Sequence, residues 1–247
     1  MRSAVVLALL VAPFGPLASR AHADPRTGEL EAQLVGEIDL APNHVGTPTS
    51  LAPDLWWGVA PRWTIGLVHS GPSVDRIEAG ATFCLHSDDP LVCDHVYRGS
   101  GLDARYAAAD WIGPRARLLL RDIDPLKPAV TLGATLRWQR GRFTVTGDPY
   151  LQLGLANTDR GNDHALVLPV QLAVDVCRWR AWLDTGWNTD LSVWRDGWHV
   201  PVGAGVRASI TPRIEVGGEL GFTSLLGPQN TPKQRVLFLF VTTRWPT

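Results

Sequence analysis

The chain has 247 residues, 45% of them apolar and 19% charged, with a formal net charge of −1. That balance excludes a strongly basic nucleic-acid binder and an acidic disordered chain. Eleven Trp, 24 Gly, 19 Pro and only two lysines, Lys127 and Lys233, disfavour long Ala/Leu/Glu/Lys helices and favour strands.

The first element is not part of the fold. Met1-Arg2-Ser3 is a short basic start, Ala4–Ala12 an unbroken apolar run, and Ala21-His22-Ala23 an A-x-A cleavage site. These three parts predict a secretory signal peptide over residues 1–23, cleaved near Ala23. A membrane anchor needs about 20 apolar residues. Pro13 and Pro16 interrupt this run. Cleavage leaves Asp24–Thr247 as a single domain of net charge −3.

From there on the chain repeats segments of alternating polarity separated by turn signals. Twelve strands are predicted, at 30–41, 50–60, 62–70, 100–108, 113–122, 128–138, 142–155, 165–176, 180–191, 198–209, 213–223 and 234–245. Between the third and fourth lies Gly71–Gly99, read as one long loop. Arg76–Leu85 inside it is strand-like and is read as a hairpin over, or folded into, a barrel mouth; fourteen strands is the alternative. In the sixth strand Val130, Leu132, Leu136 and Trp138 oppose Thr131, Thr135 and Arg137. In the eighth Leu166, Leu168, Val170, Leu172, Val174 and Val176 oppose Gln171 and Asp175. In the eleventh Ile214, Val216, Leu220 and Phe222 oppose Arg213, Glu215 and Glu219.

So much strand is unusual for a soluble domain, where strands average about 5–6 residues. Membrane barrels use strands of about 9–11 residues with the apolar face turned to lipid. Trp63, Trp111, Trp138, Trp179, Trp182 and Trp245 lie near one set of strand ends, and Trp194 and Trp198 near the other. Two aromatic girdles predict that placement. Trp56, Trp57 and Trp187 fall in strand middles, as core fillers do. With the signal peptide, the repeated amphipathic strands and the last strand Lys233–Trp245 (KQRVLFLFVTTRW), the chain resembles the transmembrane β-barrels of Gram-negative outer membranes. It departs from their usual aromatic ending by adding Pro246 and Thr247. The resemblance implies an all-β, closed antiparallel transmembrane barrel in the bacterial outer membrane. It also implies contact with outer-membrane lipids and recognition of the C-terminal strand by the barrel-assembly machinery; the lack of a phosphate-cradling Gly loop, zinc motif or nucleotide fingerprint leads us to expect no cofactor.

Such barrels keep short turns at the periplasm and longer loops outside. The short connections are Ala60-Pro61-Arg62, Asp110-Trp111-Ile112, Gln139-Arg140-Gly141, Arg178-Trp179 and Thr211-Pro212. Ala156–His164, Ser192–Gly197 and Ser224–Lys233 are the long ones. They alternate correctly if the first strand leaves the periplasm. Cys84 and Cys93 bracket a short stretch of the long outer loop and are read as a disulfide. The rival is a metal site, since His86, Asp88, Asp89, Asp94 and His95 crowd the same stretch, but the spacing matches no metal motif. Cys177 is left over near the periplasmic rim.

Catalytic constellations are weak. His69-Ser70 ends a strand, and His199 lies near Ser192, Asp190 and Asp196 across one hairpin. A relay needs a nucleophile, a base and an orienting group in hydrogen-bond contact. No motif supports one, and polar loop decoration is the preferred reading. The inward phase says more. It places Arg115, Arg117 and Arg121 on the fifth strand, Arg137 on the sixth, and Asp103 and Arg105 on the fourth. It places Glu215 and Glu219 on the eleventh strand, Asp184 and Asp190 on the ninth, Asp175 on the eighth, and Glu31, Glu37 and Asp39 on the first. One wall is expected to be basic and the opposite wall largely acidic. Inward Gly133, Gly154, Gly203, Gly205, Gly217 and Gly221 are expected to leave space. The leading function is a passive channel for small solutes, lined by those charges. A closed structural or surface-recognition barrel is the alternative, and an outer-membrane hydrolase the third.

Overall fold

A computed structural model describes residues 25–41, 49–70, 83–86, 100–228 and 230–246, with the backbone alone for Phe83–His86. The predicted signal peptide and most of Gly71–Gly99 lie outside the described residues. The strand segments are β1 (Glu29–Asp39), β2 (Thr49–Ala60), β3 (Trp63–Val68), β4 (Phe83–His86), β5 (Ser100–Tyr106), β6 (Ile112–Ile123) and β7 (Leu126–Arg140). They continue with β8 (Phe143–Gly147), β9 (Tyr150–Gly154), β10 (Ala165–Val176), β11 (Trp179–Asp190), β12 (Trp198–Ser209), β13 (Ile214–Leu226) and β14 (Arg235–Pro246).

These segments form a closed barrel of twelve antiparallel staves. β8 and β9 are one stave. Both pair with β7 and with β10, and the register is the same before and after the break, as Gly147↔Leu136 and Tyr150↔Gly133 show. The interruption is Asp148-Pro149, where proline has no N–H to give the ladder. The predicted strand 142–155 is therefore a single wall element. β14 returns to β1 through eleven pairs, from Glu29↔Pro246 to Asp39↔Val236. That seam removes the free edges on which open sheets aggregate.

β4 adds no stave. β3 ends at Val68 because the buried Asp54 carboxylate of β2 captures the next residues. It accepts the backbone N–H of His69 at 2.6 Å and of Ser70 at 3.1 Å, and the Ser70 hydroxyl as well. β4 then pairs with the remaining end of β2, at Thr49–Leu51. It is the described part of the strand-like stretch expected at the mouth, and the count stays at twelve.

Period-two alternation decides the faces. Leu118 and Leu132 point outward at 53% exposure, while Arg117 and Thr131 beside them are buried at 3% and 2%. Trp63, Trp111, Trp138, Phe143, Trp179 and Trp245 stand exposed at the short-turn end, and Trp194 at the other. Trp182 corrects the predicted girdle. It lies three residues after outward Trp179, so it faces inward and is buried. Trp56 and Trp57 are adjacent and split in the same way, Trp56 inward and Trp57 outward.

Candidate functional site in the barrel lumen

β5 and β6 bring like charges together. Arg105 and Arg115 are directly opposite in register, and Asp103 is opposite Arg117. Like charges facing across a strand pair repel. Asp103 resolves the conflict from the middle of the cluster. Its carboxylate accepts Arg105 Nε at 2.7 Å, and Arg115 Nε and Nη2 at 2.8 and 2.7 Å, a two-pronged contact. Arg117 Nε is 3.8 Å away, and the Trp56 indole donates from 3.4 Å. Arg105 stacks on the Trp56 ring at 5.4 Å and Arg117 on the Tyr150 ring at 4.9 Å, the planar contact a guanidinium favours. Asp148 stands 3.9 Å from Arg115.

A second network spans β10 to β1. Arg180 and Arg207 are opposite on β11 and β12, again a like-charge pair. Asp175 lies 3.6 Å from Arg180, and Glu215 lies 3.5 Å from Arg207 and 4.0 Å from Arg244. Glu31 of β1 accepts Arg244 Nε of β14 across the closing seam. The expected division into a basic and an acidic wall is therefore corrected. The acidic side carries Arg180, Arg207 and Arg244, and the basic side is built around Asp103. The strand phase contained the missed arginines, since Arg180 shares its face with Asp184, and Arg207 with Gly203 and Gly205.

Four of the six inward glycines, Gly133, Gly154, Gly205 and Gly217, also differ from expectation. Trp182 lies flat on Gly205, where a Cβ would come within 2.2 Å of the indole, and Trp56 does the same on Gly66 at 2.4 Å. Phe240 covers Gly217, Tyr150 covers Gly133, and Asn162 closes on Gly154. At these positions the missing side chain makes room for a neighbour's ring or loop and leaves no open space. Trp182 is fixed further by donating Nε1–H to Glu219 at 2.9 Å.

A cavity of about 1010 Å³ occupies the short-turn half of the lumen. Eight arginines and five carboxylates line it, so the lining carries more positive than negative charge. Of the predicted lumen residues, Arg105, Arg115, Arg117, Arg137, Asp184 and Glu219 border the cavity. Arg137 donates to Gln139 at 2.7 Å, and Asp184 accepts from Gln171 at 3.1 Å. Four predicted residues do not border it. Asp175 and Glu215 are held in the second network. Arg121 sits at the far end of β6, beyond the register shift that follows Leu120. Asp190 accepts both the amide and the hydroxyl of Ser192 at 2.7 Å, so it shapes the β11–β12 loop. In the other half the inward residues Ala52, Val68, Ala129, Val167 and Val236 are at most 5% exposed.

The residues of the possible relays have other partners. Ser192 is engaged by Asp190, while His199 Nε2 contacts Asn188 Nδ2 at 3.3 Å. Ser70 is bound by Asp54, and His69 Nδ1 contacts the Pro53 carbonyl. The Cys84–Cys93 pair and its rival metal site lie outside the described residues, apart from the backbone of Cys84 and His86. Cys177 is an exposed free thiol in the β10–β11 turn.

No described protein family and no curated protein matches the sequence. Solved structures do match the fold. A KdgM porin aligns over 86% of this chain and 98% of its own, with 7% identity and a TM-score of 0.51. A bacterial polysaccharide outer-membrane secretin aligns over 88% and 98%, with 13% identity and a TM-score of 0.43. Another porin aligns over 87% and 99%, with 7% identity and a TM-score of 0.42. The chain thus has the fold of a porin, a closed twelve-stranded antiparallel β-barrel.

Proposed function

We propose that the protein is an outer-membrane channel for small solutes, selective for anions. It is exported with residues 1–23 removed and inserted by the barrel-assembly machinery through β14. The observation that carries this reading is the cavity of about 1010 Å³ with eight arginines against five carboxylates. Fixed charge around a wet pore sets which ions pass. The apolar outward band and its flanking aromatics supply the lipid contact. A closed structural or recognition barrel is the second reading. It is favoured by the buried inward residues of the other half, which leave the cavity bounded there.

Conductance in planar bilayers separates the two. The wild-type barrel is expected to give discrete current steps with a reversal potential favouring anions. Replacing Arg115, Arg117 and Arg137 together by Gln shifts that potential toward cations in a barrel that still inserts. An inserted barrel without current steps overturns the channel. So does a variant of unchanged selectivity and lower unfolding temperature, which leaves the closed barrel.

A further inference from the structure

The turns between staves repeat a two-residue pattern. Arg62-Trp63, Arg142-Phe143, Arg178-Trp179 and Arg213-Ile214 each place an arginine in a turn and a large apolar side chain at or beside the first residue of the next strand. In each pair both residues are exposed. The second member belongs to the outward band. The first lies just beyond it. Arg140 adds a fifth exposed arginine at the β7–β8 turn.

The neighbouring turns β7–β8, β10–β11 and β12–β13 share one arc of the rim, because β7 to β13 are consecutive staves. Along this arc Arg140, Arg142, Arg178 and Arg213 make no ion pair with a described residue, and the turns themselves hold no Asp or Glu. Arg142 and Arg178 stack over their own neighbours, at 5.5 Å from Phe143 and 5.8 Å from Trp179. Each guanidinium thus lies over its ring at the level where the apolar band ends. None of these four borders the cavity. The opposite end differs, since exposed acidic residues there (Asp159, Asp196) alternate with cations (Arg160, Arg195).

From this arc we infer a docking surface for anionic phospholipid headgroups, with the guanidiniums of Arg140, Arg142, Arg178 and Arg213 hydrogen-bonded to phosphodiester oxygens. The inference rests on the barrel spanning a bilayer. Aromatic side chains at a barrel rim sit at headgroup depth. An arginine one residue further out therefore meets the phosphate layer. A guanidinium offers a planar fork that matches two phosphate oxygens, which an ammonium does not. All the rim cations of this arc are arginines, and both lysines of the chain lie elsewhere. The occupant is a lipid, because the charged row continues directly from the apolar band and shares its curvature around the staves.

The test is quenching of tryptophan fluorescence by brominated lipid in reconstituted vesicles. Dibrominated phosphatidylglycerol is compared with dibrominated phosphatidylcholine, each diluted into unlabelled phosphatidylcholine. The wild type is expected to favour the glycerol lipid several-fold, and the preference falls as salt is raised. Replacing Arg140, Arg142, Arg178 and Arg213 by Gln brings the ratio to one, and replacing them by Lys restores part of it. Replacing Lys127, Arg195 and Lys233 by Gln, at the opposite end, leaves the ratio as in wild type. Equal quenching by both lipids in the wild type overturns the inference, as does an unchanged ratio in the Gln variant. Absence of quenching by brominated phosphatidylcholine means that the barrel is not in the bilayer. That result overturns the membrane reading itself and is distinct from loss of lipid preference. Heat-modifiable migration on a gel checks that each variant is folded.

Discussion

Asp103 holds three guanidiniums with one carboxylate, and its side chain is fully enclosed. Removing one member of a buried charge cluster is costlier than never having built it, because the remaining charges stay desolvated. Asp103→Asn is expected to lower folding stability by about 3–5 kcal/mol, measured by urea titration in phospholipid vesicles. Adding Arg115→Gln to that variant recovers part of the loss, because one of the orphaned charges goes with it. A cost below about 1 kcal/mol would mean that water reaches the guanidiniums and replaces the carboxylate.

At the scale of the element, the seam between β1 and β14 is the least local contact in the fold. Its partners, Glu31 and Arg244 among them, are separated by 213 positions. A one-residue slip would turn every side chain to the other face. Phe238, Phe240 and Thr242 would leave the lumen, and Leu239 and Val241 would enter it. The inward charges and aromatics forbid that slip, and the outward leucines forbid it again. Val35 and Phe240 are paired in register and both face inward. Val35→Cys with Phe240→Cys is expected to form a disulfide on oxidation, because cross-strand partners lie within bridging distance. Val35→Cys with Leu239→Cys is expected to form none, as those side chains lie on opposite faces. Peptide mapping of the oxidised proteins by mass spectrometry reads both outcomes. A disulfide in the second variant alone would show a shifted register.

The whole molecule inverts the soluble rule, with apolar side chains outside and charges inside. The exposed band is what a bilayer requires and what water penalises. Leu132 points outward from the middle of β7. Leu132→Arg is expected to cost about 2–4 kcal/mol of folding stability in a bilayer. Gln171→Arg, on the inward face beside Asp184, is expected to change stability little. Urea titrations in the same vesicles compare the two. Equal effects would remove the case for lipid on the outside.

Alternation along the chain determined the staves and most of their faces, while the choice of twelve over fourteen came from β4 pairing only with the end of β2. Stave and face are local properties: a residue's face follows from its parity, and a strand's end from nearby Gly, Pro and polar residues. The stave made of β8 and β9 was legible as the single strand 142–155, since Asp148-Pro149 leaves the alternation intact, but its break was not. Local pattern also places Trp182 and Arg180 inward, once parity outweighs closeness to a strand end. Which charges meet was decided only by the tertiary structure. Asp103 lies among its arginines, and Glu31 reaches Arg244, because strand tilt and stagger set which inward residues share a level once the barrel closes. The use of the glycines was decided in the same way. Gly205 gives its space to Trp182 and Gly217 to Phe240, through neighbours on other strands. Parity tells a side chain which way to point, and closure alone tells it what it will touch.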